Sequence, residues 1–168
     1  MSDMAQDRRL IVRVLRTWNR IAEAGFPRRA QIDPAAFGAD WAQCAMIDID
    51  RPLERSRFSY VGNALRDPRC TIFDRQCVSD CLEDSLLELV ARHLPKAVDK
   101  GEPVSCAGAA SHEDLDILYR AIILPLSEDG RHVDGVLAAI GYREAPAATV
   151  TSGASVEEPT HPTYFGPF

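Results

Sequence analysis

The most regular alternation of hydrophobic and polar residues in this chain lies between Leu115 and Tyr142. Every second residue from Leu115 to Ile123 is apolar, whereas Asp116 and Arg120 occupy positions between them. This period of two is typical of a half-buried β-strand. A stretch rich in turn residues follows, and a second apolar run returns to Tyr142. The pattern predicts a long β-hairpin, and because two strands are not stable alone, more strands must come from upstream.

The two faces of the first hairpin strand are expected to be covered by different parts of the protein. Tyr119 and Ile123 lie on the face that we expect to look into a helix-covered core. On the other face Ile122, Leu124 and Leu126 are apolar as well. That face therefore needs cover, either from the N-terminal part of the chain or from a second subunit.

An amphipathic helix is predicted from Met4 to Ala24, and Gly25 is a natural end for it. Its apolar positions recur at intervals of three and four residues: Leu10, Ile11, Val14, Leu15, Trp18, Ile21 and Ala22. The opposite side carries a row of arginines: Arg9, Arg13, Arg16 and Arg20. We expect the apolar stripe to pack on the sheet or on a dimer mate, and the arginines to form a solvated face or, alternatively, to bind an anion.

Two strands are predicted after this helix. The connector Phe26–Pro34 is expected to be extended and held against the surface, and a short helical turn begins at Asp33. Strands are predicted at Trp41–Ile49 and Arg57–Leu65. In the second of these strands alternate residues are expected to share one face: Phe58, Tyr60, Gly62 and Ala64.

A longer helix is predicted from a cap at Asp80 to a stop at Gly101, with an interruption at Pro95. His93 falls on its apolar side, together with Leu82, Leu86, Leu89, Val90, Leu94, Ala97 and Val98. A weak strand, Glu102–Ala109, follows. Residues 66–79 have no sustained period, which predicts loops and short helical turns there.

Length and composition predict one α+β domain with flanking segments. Residues 1–25 form the N-terminal helix, residues 26–143 form the domain, and residues 144–168, rich in Pro, Ala, Thr, Ser and Gly, are expected to be a disordered tail. No run approaches the roughly 20 apolar residues of a membrane span, and the first residues lack a signal-peptide core. We expect a soluble cytoplasmic protein without membrane insertion.

Charge is distributed unevenly along the chain. The net charge is -6, yet residues 1–29 contain seven arginines and only three acidic residues. An acidic body disfavours nucleic acid as a ligand. The asymmetry favours self-association or an acidic partner.

Five cysteines, an odd number at irregular spacing, argue against a disulfide framework and favour reduced thiols. Cys70, Cys77 and Cys81 are close in sequence but do not have the spacing of a zinc knuckle. We therefore predict no metal site, with zinc binding or a redox switch at these thiols as alternatives.

The order helix, strand, strand, helical turns, helix and three-stranded meander resembles the plan of a PAS domain. The chain is similar to bacterial single-domain PAS proteins in five short stretches: WNR at Trp18–Arg20, PRRAQIDP at Pro27–Pro34, RFSYVGN at Arg57–Asn63, GEPV at Gly101–Val104 and LPLSEDG at Leu124–Gly130. The resemblance as a whole covers roughly residues 8–143. One departure is that family members carry a glycine-containing turn of the type GRDLTG where this chain has RDPRCTIFDRQC.

The resemblance implies a PAS-like fold: a five-stranded antiparallel sheet with helices on one face, an N-terminal helix on the sheet, and a central cavity. The residues expected to line that cavity are Phe58, Tyr60, Leu89, Val90, His93, Leu94, Tyr119 and Ile123. His93 lies in the region from which haem-binding PAS proteins present their axial histidine, so a haem sensor is one alternative. An ordinary filled core without a cofactor is the other.

From these features we expect a non-catalytic regulatory or sensory module in bacterial signalling that acts through protein–protein contacts, as a homodimer or with another protein. The expected interface residues are Leu10, Ile11, Val14, Leu15, Trp18, Ile21, Ile122 and Leu124. A small-ligand sensor is the first alternative. The second is a cone-shaped α+β proton-transfer enzyme, for which the available groups are Asp48, Asp116, His93 and Tyr60. We predict no catalytic residues, because these groups do not converge in the predicted elements.

Overall fold

The computed structural model of the protein describes residues 3–22, 25–66, 75–83, 85–112 and 115–146. The α-helices within these ranges are α1 (Asp3–Ala22), α2 (Pro34–Phe37), α3 (Leu86–Ala91) and α4 (Leu94–Lys100). The strands are β1 (Cys44–Asp48), β2 (Arg57–Val61), β3 (Val104–His112), β4 (Leu115–Leu126) and β5 (Gly135–Pro146). Short 3₁₀ helices lie at residues 29–31, 38–43, 53–55, 63–65 and 78–80.

The five strands form one antiparallel sheet in the order β2-β1-β5-β4-β3. β5 is the central strand, paired with β4 along its full length and with β1 from Gly135 to Ala139. The long hairpin predicted from the alternation of apolar residues is therefore confirmed, and the upstream strands complete the sheet. The protein is an α+β protein with a five-stranded antiparallel sheet.

Helices cover the sheet on both sides. On one side, α3 and α4 enclose the inner core: Ala45, Ile47, Phe58, Val61, Leu65, Leu87, Leu89, Val90, Leu94, Ala97, Val104, Tyr119, Ala121, Ile123, Val136, Ala138 and Ile140. On the other side, α1 and α2 enclose the outer core: Leu10, Val14, Trp18, Ile32, Phe37, Cys44, Met46, Ile122, Leu124, Leu126, Leu137 and Ala139. The predicted division of β4 between two faces is confirmed.

Helix α1 is held on the outer side by its apolar stripe. Leu10 and Val14 are buried, and Trp18 is only 7% exposed. The indole Nε1 of Trp18 donates a hydrogen bond of 3.2 Å to the carbonyl oxygen of Pro125 in β4. This bond satisfies the one polar group of a buried tryptophan. The cover that Ile122, Leu124 and Leu126 require thus comes from the same chain.

The long helix predicted before β3 begins later in the structure than in the prediction. Helix α3 starts after Ser85, whose Oγ accepts a hydrogen bond of 3.2 Å from the backbone N–H of Glu88. The predicted start at Asp80 is wrong, because residues 78–80 form a separate 3₁₀ turn. Pro95 lies in the first turn of α4, where a missing N–H breaks no helical bond. Gly101 ends α4 with φ 62°.

The predicted face of β2 is also wrong, since Phe58 and Tyr60 project to opposite sides of the sheet. Ile47 pairs with Phe58 and Met46 pairs with Tyr60, so Ser59 is an extra residue in β2. Such a bulge reverses the side on which every later residue of the strand lies. Phe58 consequently joins the inner core, whereas Tyr60 packs beside the outer core.

Several strand boundaries differ from the predicted ones. β1 begins at Cys44, since residues 38–43 are a 3₁₀ helix, and β2 ends at Val61. β3 begins at Val104 and extends to His112, and β5 extends to Pro146, three residues beyond the predicted end of the domain. The remainder of the predicted tail, residues 147–168, lies outside the described residues.

Candidate functional site

Most of the predicted pocket residues lie together in the inner core. They are Phe58, Leu89, Val90, Leu94, Tyr119 and Ile123, none of which is more than 8% exposed. Tyr119 lies across from Gly108, where a Cβ atom would come within 2.9 Å of the tyrosine ring. The glycine therefore makes room for the aromatic ring, and this region is packed as a core.

Tyr60 and His93 lie apart from that group. The ring of Tyr60 stacks on Trp41 on the outer side, with 4.5 Å between the ring centroids, and its hydroxyl donates to the carbonyl oxygen of Trp41. His93 is half-buried at the junction of α3 and α4. The sheet thus separates Tyr60 from the inner core, so the eight residues do not line one pocket.

The groups considered for proton transfer are dispersed as well. Tyr60 and His93 occupy the two positions just described, and Asp48 forms an ion pair with Arg29. The side chain of Asp116 falls outside the described part of the structure. Asp48, Tyr60 and His93 therefore form no common site.

The predicted interface residues are largely buried within one chain. Leu10, Val14, Trp18, Ile122 and Leu124 belong to the outer core. The other three, Ile11, Leu15 and Ile21, are partly buried beside it. Because α1 uses its apolar stripe to cover its own sheet, a partner would meet the opposite face of this helix.

That opposite face of α1 is strongly basic. Its exposed residues are Arg9, Val12, Arg13, Arg16, Asn19 and Arg20. Arg13 forms two hydrogen bonds of 2.6 and 2.8 Å with the carboxylate of Asp40, and these bonds raise the pKa of its guanidinium. We call Arg9, Arg16 and Arg20 the basic face, since none of the three pairs with a carboxylate of the described residues.

A second polar feature, the arginine cleft, lies where β1 ends and β2 begins. It has a volume of about 660 Å³. The residues that line it are Arg29, Asp48, Ile49, Asp50, Arg55, Arg57, Phe58, Ser59 and Arg75. Its polar side chains come from the connector, both strands, the link between them, and the segment that returns at residue 75.

One wall of the arginine cleft is built by the connector. The backbone N–H of Arg29 donates to a carboxylate oxygen of Glu128 at 3.0 Å, which holds the connector on the β4–β5 turn. The guanidinium of Arg29 pairs with Asp48 and donates to Ser59 Oγ at 2.8 Å. The connector is held against the surface as predicted, but the prediction that it is extended is wrong for residues 29–31, which form a 3₁₀ helix.

The other wall is built by the residues that return to the free edge of β2. The backbone N–H of Phe58 donates to the carbonyl oxygen of Gln76 at 3.0 Å. The Nη1 of Arg57 donates to the carbonyl oxygen of Arg75, also at 3.0 Å. Arg55 is 3.9 Å from Asp50, which makes this ion pair a loose one.

The arginine cleft was not predicted from the sequence. Arg55 and Arg57 are near one another in the chain, and Arg29 belongs to an arginine-rich connector, which are the available signals. Neither the bulge at Ser59 nor the return of residues 75–77 to β2 could be deduced from periodicity, and both are needed to assemble the cleft.

The thiols have different surroundings. Cys44 is fully buried, and burial raises its pKa to about 12. Burial also raises the pKa of Cys106 to about 11. Cys77 and Cys81 are half-buried, and Cys70 lies outside the described residues. In the described part of the chain, no group of three or more His, Cys, Asp or Glu side chains is arranged to hold a metal ion.

Among the described residues, no helix has both the length and the apolar character needed to cross a membrane. Comparison of the chain with protein-family models and with curated proteins found no match. The similarity to PAS proteins therefore stays a prediction.

Proposed function

We propose that this chain is a PAS-like, non-catalytic regulatory module of bacterial signalling that binds an acidic protein partner through the basic face of α1. The order of its elements supports the PAS-like part of this proposal. Two strands, a series of short helices and a three-stranded meander follow the leading helix, which is the plan that the resemblance implies. The separation of Asp48, Tyr60 and His93 supports a non-catalytic role.

One observation carries the proposal: α1 is fixed to the sheet by one face, and on the other face Arg9, Arg16 and Arg20 pair with no carboxylate of the described residues. Trp18 and its apolar neighbours attach the helix to the sheet, so its orientation is set by the fold. The exposed face then presents three guanidinium groups that pair with no carboxylate among the described residues. A row of arginines on a helix of fixed orientation is suited to carboxylates on a partner surface.

The charge of the whole chain indicates which partners are favoured. The net charge is -6, although the N-terminal residues are basic. An acidic protein surface would be attracted to the basic face and repelled by most of the remaining surface, which restricts the orientation of binding. A second copy of this chain is one such partner, because its own body is acidic.

The test is affinity capture with two forms of the full chain. One is the wild type, and the other carries Arg9→Glu, Arg16→Glu and Arg20→Glu. We expect proteins bound by the wild type to be lost from the charge-reversed form. Purified partners should bind that form at least about tenfold more weakly, because like charges then face each other. Light scattering of both forms measures self-association in the same series.

A matched control is the triple variant Lys96→Glu, Lys100→Glu and Arg131→Glu, which makes the same charge change at exposed positions outside α1. Circular dichroism should show both triple variants to be folded. The proposal is wrong if the basic-face variant retains the same partners and the same mass in solution as the wild type, or if both triple variants lose binding equally.

A further inference from the structure

The arginine cleft has an excess of positive charge. Its four arginines are opposed by two carboxylates, Asp48 and Asp50. Asp48 is paired with Arg29, and Asp50 lies 3.9 Å from Arg55. Neither Arg57 nor Arg75 pairs with a carboxylate of the described residues. Among the described residues, a local excess of two positive charges is therefore concentrated in a concave site on a chain whose net charge is -6.

The Arg57 side chain and the backbone of Arg75 are also positioned before any ligand arrives. The Nη1 of Arg57 donates a hydrogen bond to the carbonyl oxygen of Arg75. Because the guanidinium is planar, this bond also sets the direction of its remaining N–H groups. Arg75 itself has a φ of 63°, and the bonds of Phe58 with Gln76 and of Val78 with Ser56 hold this segment on β2. A planar guanidinium held in place binds carboxylate or phosphate oxygens with less loss of side-chain entropy.

The size and lining of the cleft indicate a small organic molecule. A volume of about 660 Å³ is within the range of small-ligand sites and exceeds what an inorganic ion needs. Ile49 and Phe58 supply apolar surface. Asp48, Asp50 and Ser59 offer oxygens that accept hydrogen bonds from ligand hydroxyl groups.

We propose that the arginine cleft binds a small hydroxylated organic anion, whose carboxylate or phosphate group is held by Arg57 and Arg75. On the acidic side of the cleft, Asp48 and Asp50 accept hydrogen bonds from the hydroxyl groups of the ligand. This cleft borders the inner core through Phe58 but lies outside the central cavity that the resemblance implies. It uses no residue of the basic face, so it stands whether or not α1 binds a partner.

Amide chemical shifts of the isotope-labelled full chain provide the test. The probes are citrate and glucose 6-phosphate at millimolar concentration and constant ionic strength, with glucose as the neutral control. We expect one or both anions to shift amides of residues 48–59 and 75–77, and glucose alone to shift none of them. The stronger anion shows whether the site prefers a carboxylate or a phosphate group.

Variants then assign the binding residues. Arg57→Gln and Arg75→Gln should each weaken binding of the active probe by about 10- to 100-fold, as expected when a hydrogen-bonded charge is removed. Arg57→Lys keeps the positive charge but loses the planar guanidinium that can form two parallel hydrogen bonds. This variant should therefore bind the probe with intermediate affinity. The control Lys96→Gln removes one positive charge from exposed α4 and should bind as the wild type does.

The proposal is overturned if both anions leave the amides of the cleft unshifted. It is overturned equally if the shifts spread along α1 rather than the cleft, or if Lys96→Gln weakens binding as much as Arg57→Gln does. The wild-type spectra decide the matter even where a variant fails to fold.

Discussion

The two sides of the sheet are covered in different ways. On the inner side, α3 and α4 come immediately before β3 in the chain and pack mainly through aliphatic side chains. On the outer side, α1 is 107 residues from its hydrogen-bond acceptor, Pro125. The outer side also has hydrogen bonds between separate segments: the Tyr60 hydroxyl donates to the Trp41 carbonyl, and the Ser127 N–H donates to the Pro27 carbonyl.

This difference indicates where recognition can take place. The apolar surface on each side of the sheet is enclosed by the same chain, and among the described large hydrophobic residues Val12 is the one that is exposed, at 40%. A partner or ligand therefore meets mainly polar groups. The outer side presents arginines of α1 and of the connector at the surface, whereas the helices of the inner side present Arg92, Lys96 and Lys100.

The largest expected effect concerns whether the two sides form one cooperative unit. Trp18→Ala removes a buried ring from the outer core, and Phe58→Ala removes one from the inner core. Each should lower the free energy of unfolding by about 3–5 kcal/mol, because a large cavity remains. Urea unfolding followed by circular dichroism should give a single transition for both variants.

Val12→Ala is the control, since Val12 is exposed on the same helix and its loss should change the free energy of unfolding by less than about 0.5 kcal/mol. If Trp18→Ala removed only helical signal and left the main transition unchanged, α1 would be a peripheral arm. The comparison of two equally integrated sides would then be wrong.

A second comparison concerns one thiol on each side. Cys44 lies in the outer core, and Cys106 packs beside the inner core. Burial raises the pKa of Cys44 to about 12 and that of Cys106 to about 11. Because the thiolate is the reactive form, alkylation at pH 8 should be slower than for an ordinary cysteine with a pKa of about 8.5, by roughly 200-fold for Cys106 and roughly 2000-fold for Cys44.

Peptide mapping after timed iodoacetamide treatment, in buffer and in urea, measures these rates. The rate in buffer should rise with pH as the thiolates form, and Cys106 should react before the fully buried Cys44. Equal alkylation rates for Cys44 in buffer and in urea would show that the outer core opens readily. The outer side of the sheet would then be less stable than the inner side.

Periodicity predicted the parts of the fold that depend on long regular patterns. The two faces of β4 and the apolar stripe of α1 were correct because each rests on several consecutive repeats, so one exception does not change the pattern. The face of Tyr60 was wrong because one extra residue, Ser59, reverses a strand, and alternation in a five-residue strand does not reveal it.

The candidate sites were harder to predict than the fold. The basic row of α1 is visible in the sequence because its arginines share one helical face. The arginine cleft joins side chains that are 46 positions apart in the chain, from Arg29 to Arg75, and depends on backbone bonds at the edge of β2. Long-range contacts of this kind leave no local pattern.

The smallest expected effect concerns the β4–β5 turn, on which the outer connector rests. Hydrogen bonds from the His132 ring and from the backbone N–H groups of His132 and Arg131 hold the pKa of Asp129 well below its usual range. A lowered pKa means that the contribution of Asp129 to stability is fully present above the ordinary aspartate pKa of about 4, and that it is lost progressively as pH falls below that value toward the lowered pKa. Asp129→Asn should therefore lower the Tm slightly at pH 7, and the difference from the wild type should shrink toward pH 3. Because Asp129 is exposed, added salt should reduce the effect as well. A difference in Tm that stayed constant with pH would assign the role of Asp129 to turn geometry rather than charge, and the connector would then rest on a turn that is insensitive to acid.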